Sequence, residues 1–151
     1  MRALIQRVNR AGVEINGTEK SSIGKGLLIF LGVEQQDEDQ DIPWLTAKIS
    51  KLRIFEDDNG QMNLSIKEAG GEVMVISQFT LHAKTKKGTR PSYSRAAEPE
   101  RANRLYETFA RQMGEEIGSI AKTGEFGAYM KVNLENDGPV TIMIDSRDKD
   151  L

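Results

Sequence analysis

Two unbroken apolar runs stand out along the chain, Leu27-Leu28-Ile29-Phe30-Leu31 and Val73-Met74-Val75-Ile76, each preceded closely by glycine. Both are short for helices and rich in strand-favouring residues, so they read as strands covered on two faces. The second reads as the centre of a sheet. Leu4, Ile5 and Val8 mark a strand over Arg2 to Val8, and Val13-Glu14-Ile15 alternates as another. Asn16-Gly17 then predicts a hairpin, with Thr18 to Ile23 returning antiparallel. Near the other end, Tyr129 to Leu134 alternates, Asn136-Asp137-Gly138-Pro139 reads as a turn, and Val140 to Ile144 reads as the last strand.

Helical spacing appears twice. Ile42, Leu45, Ile49 and Leu52 follow the acidic stretch Asp37 to Asp41, which suits a helix amino terminus, and Pro43 places the start near Asp41. The clearer helix begins at Pro99, buries Ala102, Leu105, Tyr106, Phe109, Met113 and Ile117, and stops at Gly118. Arg53-Ile54-Phe55 and Ser119 to Thr123 read as short strands, and Gly124 to Ala128 as a glycine-rich bend. Strands outnumber helices and short turns join many of them. The expected class is α+β: a curved, mostly antiparallel sheet or partial β-barrel packed with two main helices, in one domain spanning 1–151.

Composition narrows the chemistry. There is no cysteine, which excludes disulfides, thiolate metal sites and a cysteine nucleophile. One histidine and scattered carboxylates make no metal constellation, so neither metal nor cofactor is expected. The opening Met1 to Arg7 is charged and has no long apolar run, so the expectation is a soluble cytoplasmic protein with no membrane contact. The net charge of −2 is unevenly spread. Lys84, Lys86, Lys87, Arg90, Arg95, Arg101 and Arg104 face only Glu98 and Glu100, a local excess of five positive charges. Such a stretch is either a phosphate footprint or a solvated loop.

Candidate chemistry gathers after the second apolar run, where Ser77, Gln78 and Thr80 bring two hydroxyls and an amide to the end of a buried strand. The bland alternative is a strand turning polar as it leaves the core. Ser77 or Thr80 with His82 and Asp145 would make a nucleophilic triad. However, no Gly-x-Ser-x-Gly elbow surrounds Ser77, and His82 is too near in an extended chain to fold back onto either hydroxyl. Gly24-Lys25-Gly26 lacks the ending of a phosphate loop, and Asp57-Asp58-Asn59-Gly60 lacks the spaced ligands of a calcium loop.

Ser77-Gln78-Phe79-Thr80-Leu81 and Asn136-Asp137-Gly138-Pro139-Val140-Thr141 together resemble the two signature motifs of the D-aminoacyl-tRNA deacylase family, of the D-tyrosyl-tRNA deacylase type. The likeness continues through Ala3 to Val8, Leu52 to Phe55, Met62 to Leu64, Arg90-Pro91-Ser92 and the Phe126 to Met130 bend. It implies a homodimeric editing enzyme that hydrolyses the ester of D-aminoacyl-tRNA and of mischarged glycyl-tRNA, with its active site at the subunit interface. Ser77, Gln78, Phe79 and Thr80 would be the catalytic stretch. Gly138 and Pro139, entering from the partner chain, would bind substrate. A cis bond between them would set their carbonyls parallel, to grip an α-ammonium group and exclude an L side chain. By the same resemblance Arg7 orients the Gly-Pro loop and Phe126 walls the pocket; on their own, these residues read as a strand charge and a core aromatic. The ester is already activated, so the implied chemistry uses the terminal 2′-hydroxyl of tRNA and backbone N–H groups around Phe79 and Thr80, with a nucleophilic Thr80 hydroxyl as the alternative. A small-molecule esterase and a nonenzymatic RNA-binding module are the rival functions.

Overall fold

The computed structural model describes residues 1–151. The hairpin predicted at Asn16-Gly17 forms, with Asn16 at φ 52° and Gly17 at φ 77°. It joins β1 (Arg2–Ile15) to β2 (Thr18–Ile23). The chain continues through β3 (Gly26–Gly32), α1 (Asp41–Ser50), β4 (Phe55–Glu56), β5 (Met62–Leu64) and β6 (Glu72–Ser77). A 3-10 turn over Phe79–His82 precedes α2 (Pro99–Ile117), β7 (Lys122–Thr123) and β8 (Lys131–Asp145).

One edge of β1 carries β8 along nearly its whole length. The other carries β3 against Arg2 to Val8 and β2 against Ala11 to Ile15. β6 joins β3 in parallel, and β7 joins β6 in parallel, so an otherwise antiparallel sheet ends in parallel strands. Ser21 Oγ donates to the Thr123 carbonyl at 2.7 Å, and Lys122 Nζ donates to the Ser22 carbonyl at 2.6 Å. These bonds bring β2 beside β7, and the sheet curls until its two sides nearly meet. The class is α+β, as the pattern predicts.

The two-sided strands explain the layers. Leu27, Ile29, Leu31, Val73 and Val75 face the large core shared with α1 and α2, whereas Leu28, Met74 and Ile76 face a smaller core with Val8, Ala11, Val13 and Ile23 inside the curl. α2 buries the predicted face and ends at Gly118, whose φ of 75° suits a residue without a Cβ.

Several boundaries differ from the sequence pattern. The two predicted strands within Arg2 to Ile15 are one strand, bent by register shifts between Gln6 and Arg10 that change which positions point inward. Val73 to Ile76 lies between β3 and β7, one place in from the end of the sheet rather than at its centre. The strand expected over Ser119 to Thr123 shrinks to two residues, and that at Arg53 shifts to Phe55–Glu56, paired with β5. The turn expected at Asn136 to Pro139 is an extrusion within β8. Gln6 pairs with Thr141 and Val8 with Asn136, leaving residues 137–140 opposite the single residue Arg7.

Candidate active site

β6 delivers Ser77 to the rim of the core, and the Gln78 N–H extends the pairing by donating to the Leu31 carbonyl at 2.8 Å. The chain then tightens into the 3-10 turn, with Leu81 N–H donating to Gln78 O at 3.3 Å and Ala83 N–H to Thr80 O at 3.1 Å. The N–H groups of Phe79 and Thr80 open that turn, where no earlier carbonyl of the turn can accept them. The Gln78 side-chain amide donates to the Thr80 hydroxyl oxygen. Phe79 is 53% exposed and meets Tyr93 edge-on, with ring centroids 5.1 Å apart.

Beside this turn lies a cleft of about 420 Å³. Ser77, Gln78 and Phe79 line one part, Ala97, Pro99 and Ala102 at the start of α2 another, and the Phe126 to Met130 bend a third. Phe126 stacks obliquely on Tyr106 at 6.0 Å. The Tyr106 hydroxyl donates to the Val75 carbonyl at 2.8 Å, and burial pushes its pKa up to about 12, so it stays a neutral donor. The structure therefore brings Ser77, Gln78, Phe79 and Phe126 to one cleft. Thr80 adjoins it through its bond with Gln78 without lining it. A larger groove of about 800 Å³, bounded by Arg10, Glu14, Glu19 and Asn133, contains none of the motif residues.

Gly138 and Pro139 do not line the cleft. They occupy the extrusion of β8, and the peptide bond between them is cis. A Cβ on Gly138 would stand 2.6 Å from Val140 N, so only glycine fits there. Arg7 is 5% exposed and reaches under the extrusion. Its Nε donates to the Asp137 carbonyl at 2.8 Å and its Nη1 to the Ile54 carbonyl at 2.6 Å. The Asp137 carboxylate is only a secondary partner, at 3.4 Å and 40% exposed.

Asn136 is a residue that the sequence reading left without a role. Its side chain accepts from Val140 N–H at 2.8 Å and donates to Val140 O at 3.2 Å and Thr141 Oγ1 at 3.1 Å. It thus closes the base of the extrusion. Asparagine's habit of bonding nearby backbone was the available signal.

The triad is not assembled. His82 is 1% exposed and neither ring nitrogen has a hydrogen-bond partner. Asp145 instead accepts from Arg2 Nε at 2.8 Å and Arg147 N–H at 2.9 Å. Burial alone would raise the Asp145 carboxyl, but those bonds and the nearby Met1 ammonium outweigh it and hold the pKa below the ordinary value. No group of three or more His, Asp or Glu side chains is arranged to hold a metal ion, and no helix is long and apolar enough to cross a membrane.

The basic stretch divides in two. Arg95 pairs with Glu34 at 2.9 Å, Arg101 donates to the Gln35 and Asp37 carbonyls, and Arg104 grips Asp39 at 2.7 and 3.1 Å. Lys84, Lys86, Lys87 and Arg90 are exposed and make no ion pair. Their loop is closed at its base by reciprocal Lys84–Ser92 backbone bonds at 2.8 and 3.0 Å.

Known proteins share both sequence and shape with this chain. A D-aminoacyl-tRNA deacylase of Parabacteroides distasonis is 56% identical over 150 residues, covering 99% of this chain and 100% of the relative. One from Thermosipho melanesiensis is 52% identical over 147 residues, covering 97% and 98%. A solved c-Myc DNA unwinding element binding protein superposes with a TM-score of 0.90 at 38% identity, covering 96% of this chain and 98% of that one. A probable eukaryotic D-amino acid tRNA deacylase, 16% identical, shares the fold with a TM-score of 0.81 over 95% and 97% of the two chains. The family model described as D-Tyr-tRNA(Tyr) deacylase matches residues 4–145, and with these relatives it shows that the chain belongs to that family.

Proposed function

We propose that this chain hydrolyses the ester of D-aminoacyl-tRNA, and of mischarged glycyl-tRNA, in the cytoplasm. The observation that carries this is the cleft itself, in which Ser77, Gln78 and Phe79 meet Phe126 at the mouth of a turn presenting two backbone N–H groups. Water attacks the ester carbonyl carbon, the Phe79 and Thr80 N–H groups take the charge that develops on its oxygen, and the C–O bond to the terminal ribose breaks. The ribose oxygen leaves protonated as the tRNA hydroxyl. Its neighbouring 2′-hydroxyl helps to position the water, and Gln78 and Thr80 hold the substrate in line.

The site is completed by the extrusion from a second copy in a homodimer, a reading supported by the position of Gly138 and Pro139 outside the cleft of their own chain. Their carbonyls accept from the α-ammonium group and leave no space for an L side chain. Arg7 and Asn136 hold the extrusion in place. Lys86, Lys87 and Arg90 lie between Phe79 and Tyr93 in sequence and are free to meet tRNA phosphates.

A paired assay tests this. D-aminoacyl-tRNA should release free amino acid, and the matching simple D-amino ester without RNA should react far more slowly. Binding of RNA without release would leave a nonenzymatic module, and equal rates on both esters would leave a small-molecule esterase.

A further inference from the structure

His82 is a buried titratable side chain that the chemistry above does not use. It closes the 3-10 turn whose first residues are Phe79 and Thr80. The end of β3 passes directly under that turn. A Cβ built on Gly32 would stand 3.0 Å from the Gln78 carbonyl oxygen, 3.0 Å from His82 Cδ2 and 3.1 Å from His82 Nε2. The turn therefore rests on Gly32 at both ends, on a carbonyl at one and on the imidazole at the other.

The far side of the ring faces charge already engaged elsewhere. Glu34 Oε2 stands 4.0 Å from His82 Nδ1, but Arg95 holds that oxygen at 2.9 Å and Arg147 approaches the other at 3.7 Å. Behind it, Asp37 binds the Met1 ammonium, and Arg2 ties the turn's Leu81 carbonyl at 3.0 Å to Asp145. Burial pushes the imidazole below its ordinary pKa, against the opposing pull of the Gly32 carbonyl and Glu34. Packed this closely on the Gly32 backbone, the ring acts through its bulk and shape.

We propose that His82 is a positioning residue, a wedge between the Gly32 backbone and Glu34 that sets where the site turn presents the Phe79 and Thr80 N–H groups. It rests on the reading that this turn performs the hydrolysis. Removing the wedge lets the turn settle towards β3. A displacement on the order of 1 Å costs catalysis up to about a hundredfold, so a part of that is expected here.

The test uses the full-length protein with His82→Ala, His82→Leu and Gly32→Ala, each checked for folding by circular dichroism and thermal melting. His82→Ala should lower kcat about tenfold with KM within about twofold, because alignment and not binding is lost. His82→Leu, which refills the space without a titratable ring, should recover most of that loss. Gly32→Ala pushes on the turn from below and should lower kcat with His82 intact. In amide NMR spectra the Phe79 and Thr80 signals should shift in His82→Ala and Gly32→Ala and return towards wild type in His82→Leu. Folded His82→Ala or Gly32→Ala protein with wild-type kcat and unmoved amides would overturn the proposal. So would a loss of about a thousandfold in His82→Leu, which would mean that the ring takes part in chemistry. If wild-type protein fails to hydrolyse D-aminoacyl-tRNA, the function fails while the amide shifts still decide whether His82 sets the turn. If His82→Ala does not fold, the other two variants decide by the same criteria.

Discussion

Replacing Arg7 with methionine should destabilise the fold by about 3 kcal/mol, whereas Asp137→Ala should cost less than about 1 kcal/mol. The difference comes from which atoms the guanidinium holds. Its two short bonds go to backbone carbonyls, Ile54 at 2.6 Å and Asp137 at 2.8 Å, and the carboxylate lies at 3.4 Å. A hydrogen bond from a charged donor contributes roughly 1.5–3 kcal/mol, and a buried carbonyl left without a donor costs about 1–3 kcal/mol. The Ile54 bond is buried and exacts most of that loss, while water can replace the part-buried bond to Asp137. An ion pair to a carboxylate 40% exposed adds only a few tenths of a kcal/mol, in the manner of surface pairs. Arg7→Lys should fall between, because a single ammonium cannot span both carbonyls. Urea unfolding at fixed protein concentration measures these differences, with an unchanged m-value as the condition for comparing midpoints. Single-turnover deacylation by the folded fraction of Arg7→Met should fall more than tenfold, because the extrusion loses its tether. Equal destabilisation by Arg7→Met and Asp137→Ala would refute the reasoning, since the carboxylate would then be carrying the contact.

Lys86→Ala with Lys87→Ala and Arg90→Ala should weaken tRNA binding and reduce its salt slope by up to about one unit per lost phosphate contact. Arg104→Ala, whose guanidinium is committed to Asp39, should leave the slope as it was; a matching drop would show that only total charge counts. Mixing chains damaged at Gln78→Ala with Thr80→Ala and chains damaged at Pro139→Thr should restore activity towards half the wild-type value per mixed dimer, since one shared site then escapes both defects. Differently tagged chains that demonstrably exchange and stay inactive would count against a shared site. Burial holds the His82 imidazole below its ordinary pKa in the folded protein, so as pH falls through the ordinary value near 6.5 the unfolded chain binds its proton first. Its contribution to stability is therefore complete above about pH 7 and declines from pH 6.5 down to the folded-state value. His82→Leu should lack that decline, and a wild-type minus His82→Leu stability difference that stays constant between pH 7.5 and 5.5 would rule it out.

Legibility in the sequence followed the range of the interaction concerned. Leu27 to Leu31 and Val73 to Ile76 announced strands with two buried faces because alternate residues enter different cores, a property local to each run. Pro99 and Gly118 bracketed α2 for equally local reasons. The single strand β1 was hidden because its apolar positions change core and phase: Ala3 and Ile5 face the helices, Val8 faces the curl from the opposite side, and Ala11 and Val13 join Val8 only across a register shift. No residue type marks such a shift. The change from Ile76 to Ser77 and Gln78 did mark the cleft, because polar groups at the end of a buried strand are visible in one stretch. Arg7 was legible only by resemblance. Its acceptors are main-chain oxygens 47 and 130 residues away, which every residue possesses and no pattern distinguishes. The basic stretch shows the converse error, in which a visible pattern overstates its meaning. Counting charge between Lys84 and Arg104 treats seven cations alike, but Arg95, Arg101 and Arg104 bind the segment Glu34 to Asp39, which lies elsewhere in the sequence and carries the compensating acids. What remains available to an anionic partner is the exposed loop with Lys84, Lys86, Lys87 and Arg90. That loop begins two residues after the site turn ends, so a polyanion gripped there is held within reach of the cleft.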